Sequence, residues 1–357
     1  MKKEIGSEFW TGCSPCDKRG CEWSYKPEWS VRETLSGRVA LEYIVEELVK
    51  KGKTSVYMPS YCCHTMIEPF LRHGVKVLFY DVVPAESGIK RQFDPDHGCD
   101  VVFLLDYFGF VDAGTSVIAK EQHAKGKLII YDATHSLYSD FNFNDCDYVF
   151  GSYRKWMDVN CGFVGVKDNT DIVFGTDWKP FDEYTDMRAR IFDLKSRYMN
   201  DEDVEKQQFL TLINEAEEML EQNYHHTLPD QRSFDVLRQT DCRYLVRTRR
   251  NNALILMQSV LDLNDERIRC LVVRMDAHDT PLFVPVYIHP NHRNALRCFL
   301  IEHSIYCPVH WPLSDLHAVS KAATEVYDCE LSLLCDQRYD DLDMYRIVET
   351  IKEYLKK

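Results

Sequence analysis

Between Ser36 and Val166 short apolar runs alternate with amphipathic stretches, and no other feature of the chain narrows its possible folds as much. Ser36 is placed to cap a helix in which Ala40, Leu41, Ile44, Val45 and Leu48 recur at helical spacing until Gly52 stops the run. Ser55 to Ser60 reads as a strand, and Tyr61 to His73 as a helix ended by Gly74. Further strands are expected at Val75–Asp81, Asp100–Asp106, Lys127–Tyr131, Tyr148–Gly151 and Cys161–Val166, with a helix at Ser116–Ala124. This alternation predicts an α/β fold with a doubly wound, mostly parallel sheet flanked by helices and ligands at the C-terminal ends of the strands.

From Trp178 onward the pattern changes. Charged amphipathic segments at Asp182–Tyr198, Asp201–Tyr224 and Arg243–Leu261 read as helices with no strand between them. Strands return at Cys270–Met275, Leu282–Ile288 and Ile305–Val309, with helices at Asn291–His303 and Leu342–Leu355. The expected division is an N-terminal arm over residues 1–35, a large domain over 36–240 and a smaller C-terminal α+β domain over 241–357.

The formal net charge of -14 argues against a general nucleic-acid binder, which needs a basic face to displace counterions. No apolar run approaches the ~20 residues that span a bilayer, and Met1–Gly6 lacks the apolar core of an export signal. A cytoplasmic protein with reduced thiols is therefore expected, despite fourteen cysteines. Cys13, Cys16 and Cys21 begin like a zinc site, but no second ligand pair completes it nearby, so no metal is assigned. Trp10, Trp23 and Trp29 are expected to lay the arm on the body of the protein or on a partner subunit.

Two strand ends carry the chemistry. Tyr131-Asp132-Ala133-Thr134-His135 delivers a carboxylate and an imidazole, and Tyr148 to Trp156 delivers Ser152, Arg154 and Lys155. A lysine between aromatic neighbours, with an acid from an adjacent strand, is what pyridoxal phosphate chemistry requires. The lysine condenses with the aldehyde, and the acid keeps the pyridine nitrogen protonated so that the ring accepts electrons. The helix after Ser60 directs free amides outward, which places the cofactor phosphate against Cys62 and Cys63. Plainer readings stand beside these: Asp132 as a helix cap, Lys155 as a surface lysine, the Cys62–Cys63 turn as an ordinary junction, His310–Trp311 as a packed pair. Ser152, Arg154 and Lys155 as an anion site without any cofactor is the runner-up reading of this constellation.

Taken in order, Ser36-Gly37-Arg38-Val39-Ala40-Leu41, Met58-Pro59-Ser60-Tyr61, Asp132-Ala133-Thr134-His135, Lys155 followed by Cys161-Gly162-Phe163-Val164-Gly165, Ile305 to Pro312 and Glu330 to Leu334 resemble the DegT/DnrJ/EryC1/StrS sugar aminotransferases. Those are fold type I pyridoxal-phosphate enzymes, and the resemblance runs from about Ser36 to the C-terminus. It implies that Lys155 holds the cofactor and shuttles the proton, Asp132 pairs with the pyridine nitrogen, His135 contacts the phenolic-oxygen side, Ser152 binds the phosphate, and His310 and Trp311 stand near the substrate entrance. It further implies an amino-acid donor, glutamate, a nucleotide-linked keto sugar as acceptor, and a homodimer. Three departures stand out: Ser152 is closer to the lysine than the family's phosphate serine, Cys62 replaces a threonine, and the aromatic that covers the ring is missing near Ser87–Gly88. Stacking is then expected from Tyr107 or Phe108. A non-catalytic scaffold and a pyridoxal enzyme of another type, such as a dehydratase, are the alternative functions; family members that dehydrate tend to lack the lysine.

Overall fold

The computed structural model describes residues 3–13, 29–85, 88–167 and 172–357. In chain order the first part runs β1 (Ile5–Gly6), β2 (Trp29–Thr34), α1 (Gly37–Lys50), β3 (Ser55–Pro59), α2 (His64–Arg72), β4 (Lys76–Ala85), β5 (Gly88–Gln92), β6 (Val101–Leu105), α3 (Ala113–Ala124), β7 (Leu128–Asp132), β8 (Tyr148–Ser152) and β9 (Gly162–Lys167). The second part runs β10 (Lys179–Pro180), α4 (Asp182–Met199), α5 (Lys206–Asn223), β11 (Thr227–Leu228), α6 (Gln231–Gln239), α7 (Cys242–Leu263), β12 (Ile268–Cys270), β13 (Phe283–Ile288), α8 (Pro290–Glu302), β14 (Ile305–Tyr306), α9 (Lys321–Cys329), β15 (Glu330–Leu334) and α10 (Asp341–Leu355).

The main sheet has the order β2-β9-β8-β7-β6-β3-β4-β5. Its centre is parallel, from β8 through β7, β6 and β3 to β4, while β9, β2 and β5 join antiparallel. Successive residues of the central strands feed two different cores: Val101, Phe103 and Leu105 pack on one face, Val102 and Leu104 on the other. A sheet buried on both faces needs apolar side chains at every strand position, which is why these strands read as unbroken apolar runs. The C-terminal part holds the antiparallel sheet β12-β13-β15, against which α7 and α9 pack, with α10 packed against α7 and α8. α10 starts at a capping box between Asp340 and Asp343.

Several expectations about elements change. β2 belongs to the main sheet, paired with β9 from Trp29↔Lys167 to Thr34↔Gly162, so the stretch before residue 36 supplies an edge strand as well as an arm. α5 starts at Lys206, after an extended N-cap at Glu205, and Asp201 takes a left-handed backbone, φ 59°, which a right-handed helix does not accommodate. Strand pairing at Cys270–Met275 stops at Cys270. β5, α6 and α9 were not expected.

The N-terminal tryptophans also change meaning. Trp10 lies edge-on to Tyr339 at 6.5 Å and Trp29 to Phe143 at 5.3 Å, both buried within the subunit. They offer no surface to a partner, because their area is already spent inside the chain. Trp23, Cys16, Cys21 and Ser87 lie outside the described residues. The Cys13 thiol sits 3.9 Å from Asp158 Oδ1. Eleven described cysteines are free thiols, whereas Cys242 is disulfide-bonded, contrary to the expectation of reduced thiols throughout. Among the described residues no helix is long and apolar enough to cross a membrane.

Candidate active site

β7 and β8 are neighbours in parallel register, with Asp132 opposite Phe150, so their C-terminal ends open on the same side. Asp132 closes β7, Ser152 closes β8, and Lys155 follows in a single 3-10 turn. All three line a cavity of ≈ 290 Å³ together with Ser36, Gly37, Arg38, Cys63, Thr65 and Trp311. That volume is near the lower end for small-molecule pockets, ~300 Å³.

The cavity is polar at its base. One Asp132 carboxylate oxygen accepts the Thr134 amide at 2.8 Å, and burial pushes the carboxyl up to about 6 against that hydrogen bond. The Phe108 amide donates to His135 Nδ1 at 3.2 Å, which puts the ring hydrogen on Nε2. Burial holds His135 well below its ordinary pKa, so it is a neutral donor. The Lys155 pKa is lowered by desolvation within the cavity and then by the neighbouring Arg154 charge. Arg154 itself is tied to Glu217 on α5 at 2.9 Å and to the Tyr184 hydroxyl at 3.3 Å.

An anion cradle forms where β9 presses on the start of α1. Ser36 caps α1 by accepting the Val39 amide, and the first intrahelical bond runs from Ala40 to Ser36, so the Gly37 and Arg38 amides precede the ladder. A Cβ built on Gly37 would stand 3.3 Å from Ser152 Cβ, which brings the serine against those amides. A Cβ on Gly162 would stand 2.5 Å from the Ser36 carbonyl carbon, so glycine is what lets β9 approach this closely.

The predicted residues therefore divide. Asp132, His135, Ser152, Lys155, Cys63 and Trp311 meet at one cavity. Cys62 does not: its side chain is buried, its amide donates to the Tyr327 hydroxyl at 3.2 Å, and α2 starts only at His64 with Cys63 as its cap residue. His310 is set behind the wall, its Nδ1 2.8 Å from Ser332 Oγ and its amide donating to Glu330 at 2.7 Å. Tyr107 donates to the Tyr61 carbonyl at 2.7 Å and Phe108 packs on His135 and His310, so neither ring lines the cavity. At the wall Trp311 instead stacks on His135, with centroids 5.2 Å apart. Cys63 adds an unexpected group. Burial alone would raise its thiol, but the His64 ring and the Thr65 hydroxyl bring it down to about 7.

The Gly37–Arg38 amides escaped the reading of cavity residues. Their signal was present, since Ser36 was already an N-cap and a helix N-terminus is an anion site in waiting. What was missing was the strand order that sets Ser152 beside it.

No family model and no curated protein matches this chain. Solved structures do match its fold. PseC of Helicobacter pylori, an aminotransferase involved in the biosynthesis of pseudoaminic acid, superposes with TM-score 0.63 at 13% identity, covering 91% of this chain and 86% of that one. NtdA of Bacillus subtilis, solved with bound cofactor PMP, gives 0.62 at 13% identity over 92% and 73%. DesI, solved in the presence of its TDP-sugar product, gives 0.59 at 16% identity over 90% and 80%. The chain has the fold of these proteins, the fold type I architecture of a large mostly parallel sheet flanked by helices with a smaller C-terminal α+β part.

Proposed function

We propose that the chain is a pyridoxal-phosphate-dependent aminotransferase that moves an amino group from an amino acid, glutamate, to the ketone of a nucleotide-linked sugar. The observation that carries this reading is the meeting of Lys155 and Asp132 at adjacent strand ends in one cavity, with an anion cradle beside them. The residues fit the cofactor. A buried carboxyl pushed up to about 6 by desolvation is relieved by a cationic ring N–H, and a dianionic phosphate suits the Gly37 and Arg38 amides with the Ser152 hydroxyl. This moves the phosphate from the start of α2, where Cys62 is engaged, to the start of α1. The sugar-handling aminotransferases among the fold neighbours support the acceptor class.

When bound, pyridoxal phosphate supplies the electron sink that makes the donor's α-proton acidic. The protein's part follows from its own groups. Asp132 orients the ring nitrogen and keeps it charged. His135 offers the Nε2 hydrogen to the ring's phenolic-oxygen side without adding charge. Lys155, with a depressed pKa, presents a free amine that can take a proton from the donor carbon and return it at the neighbouring position. Arg154, fastened to Glu217, adds positive charge that favours the neutral amine. The lysine is open to the cavity and makes no hydrogen bond or ion pair among the described residues, which favours turnover over a scaffold or dehydratase role. A cytoplasmic two-fold homodimer belongs to the same proposal; its support is the common symmetry of homo-oligomers, with Trp10 and Trp29 now excluded as contacts.

The test is direct. Incubation with pyridoxal phosphate, borohydride reduction and peptide mapping should place a pyridoxyl group on Lys155 alone, and Lys155→Ala should abolish labelling. A wild-type protein that takes up no cofactor would overturn the reading.

A further inference from the structure

Away from the cavity, one face of α1 carries two acids a helical turn apart, Glu42 and Glu46, and both meet histidines from elsewhere in the chain. His73, the residue that closes α2, sets its Nε2 2.8 Å from Glu42 Oε1. His225, in the segment between α5 and β11, sets its Nδ1 3.4 Å from that same oxygen. A ligand atom from each of Glu42, Glu46 and His73 lies within 4.8 Å of the other two. Two nitrogens and two carboxylates, brought by three separate elements, thus converge on one point.

A second layer of groups holds them there. The Glu42 side chain is only 3% exposed, and its Oε2 accepts from Arg72 Nη1 at 3.0 Å and from the buried Tyr224 hydroxyl at 3.1 Å. Oε1 is thereby turned toward the two imidazoles. Glu46 Oε1 stands 2.8 Å from His226 Nε2, and the other ring nitrogen of His226 contacts Asp177. Outer partners of this kind are what orient the carboxylates of metal sites. The spacing fits as well. Donors around a tetrahedral ion with bonds of ~2.0–2.1 Å stand about 3.3 Å apart, which His225 and Glu42 already match at 3.4 Å and His73 reaches by withdrawing about half an ångström.

We propose that Glu42, Glu46, His73 and His225 form a binding site for a divalent transition-metal ion, zinc. Two imidazoles favour zinc over magnesium or calcium, which take oxygen ligands. Two carboxylates neutralise the ion, while Arg72 stays on the outer oxygen of Glu42 and steers the inner one. Among the described residues Arg72 is the only lysine or arginine bonded to Glu42, Glu46 or Asp177, so the face is short of positive charge. His225 is exposed and His73 and Glu46 are half-buried, which leaves the ion a path from solvent. Zinc here would fasten α1 to α2 and to the segment before β11, and α1 is the helix whose first amides form the anion cradle. The site does not depend on the role of Lys155, and either reading can fail without the other.

The experiment strips the purified protein with EDTA, then titrates it with zinc chloride in a calorimeter and with cobalt chloride in a spectrophotometer. The set is the wild type, His73→Ala, His225→Ala, Glu46→Gln and, as a control, His303→Ala, a partly exposed histidine that closes α8. The wild type should bind one zinc per chain, each site variant should bind it about tenfold or more weakly, and the control should match the wild type. Zinc at a hundredfold excess over its Kd should raise the melting temperature by about 4 °C, and His73→Ala should lose that shift. Cobalt should give visible d–d bands without thiolate charge-transfer absorption. Absence of stoichiometric zinc binding, or an affinity unchanged in both histidine variants, would overturn the proposal, and so would thiolate bands, which would assign the ion to cysteines. Should His73→Ala fail to fold, the exposed His225 decides: an unchanged affinity in His225→Ala overturns the site by itself.

Discussion

Asp132 shows how a side chain suited to catalysis burdens the fold that carries it. Burial raises its pKa from 3.8 to about 6, so ionising it in place costs free energy. The sign follows from linkage: the native state binds the proton more tightly, and stability from this group falls as pH rises from about 4 to about 6, then stays lower. Asp132→Asn should therefore stabilise the cofactor-free protein at pH 7, by up to about 3 kcal/mol for a shift of this size, with no gain below about pH 4. The same variant should lose cofactor far more readily than the wild type. Thermal denaturation across pH, run beside cofactor retention, checks both halves; a melting temperature at pH 7 equal to or below the wild type's would refute the stability half. At this scale the sequence was readable, because Asp132, Ser152 and Lys155 each end or directly follow an apolar strand, a purely local signal. The burial of Arg249 carried no such signal: it sits within the amphipathic α7, where arginine is ordinary.

The contact between β9 and α1 is the element on which the anion cradle depends. A Cβ on Gly162 would meet the Ser36 carbonyl carbon at 2.5 Å and the Gly37 nitrogen at 2.6 Å, backbone atoms that cannot swing aside. Gly162→Ala should cost about 2 kcal/mol or more by overpacking. It should also weaken phosphate or cofactor binding beyond what the stability loss explains, since α1 must shift away from Ser152. Denaturant unfolding together with cofactor titration tests this, and an alanine variant of wild-type stability would show that β9 and α1 are looser than described. Helix and strand identities were legible wherever periodicity was strong, as in α1 and the central strands. They were least legible at β2, which reads as part of an irregular arm because its pairing partner, β9, lies more than a hundred residues away.

Across the whole molecule, the N-terminal segment ties distant parts of the chain together. β1 pairs in parallel with β14, Glu4 contacts Lys195 and Lys206, and Glu8 is bridged to the buried Arg188 of α4. Burial would raise Glu8, but the paired Arg188 overrides it and lowers the pKa from 4.5 to about 2. A depressed carboxylate stabilises the native state above its unfolded pKa and loses that contribution as pH falls through its folded value. Glu8→Gln should thus destabilise the protein at pH 7 by roughly 2–3 kcal/mol, with the difference from wild type shrinking between about pH 4.5 and pH 2. Urea unfolding at several pH values measures it, and a pH-independent difference would mean that Glu8 acts by packing alone.

The sequence by itself determined the alternation of strands and helices, and with it the doubly wound sheet and the two strand ends that carry Asp132 and Lys155. Those properties depend on periodicity and on residues within a few positions of one another. The tertiary structure decided which helix start faces the lysine, α1 rather than α2, because only the strand order β9-β8-β7 brings Ser36 and Gly37 against Ser152. It decided that Trp10 and Trp29 are interior, and that Arg249 is a buried cation whose hydrogen bonds among the described residues go to neutral acceptors, with the Asp336 charge nearby. Each depends on partners far apart in the chain, whose proximity is set by how the sheet closes and packs and is not encoded in any short stretch.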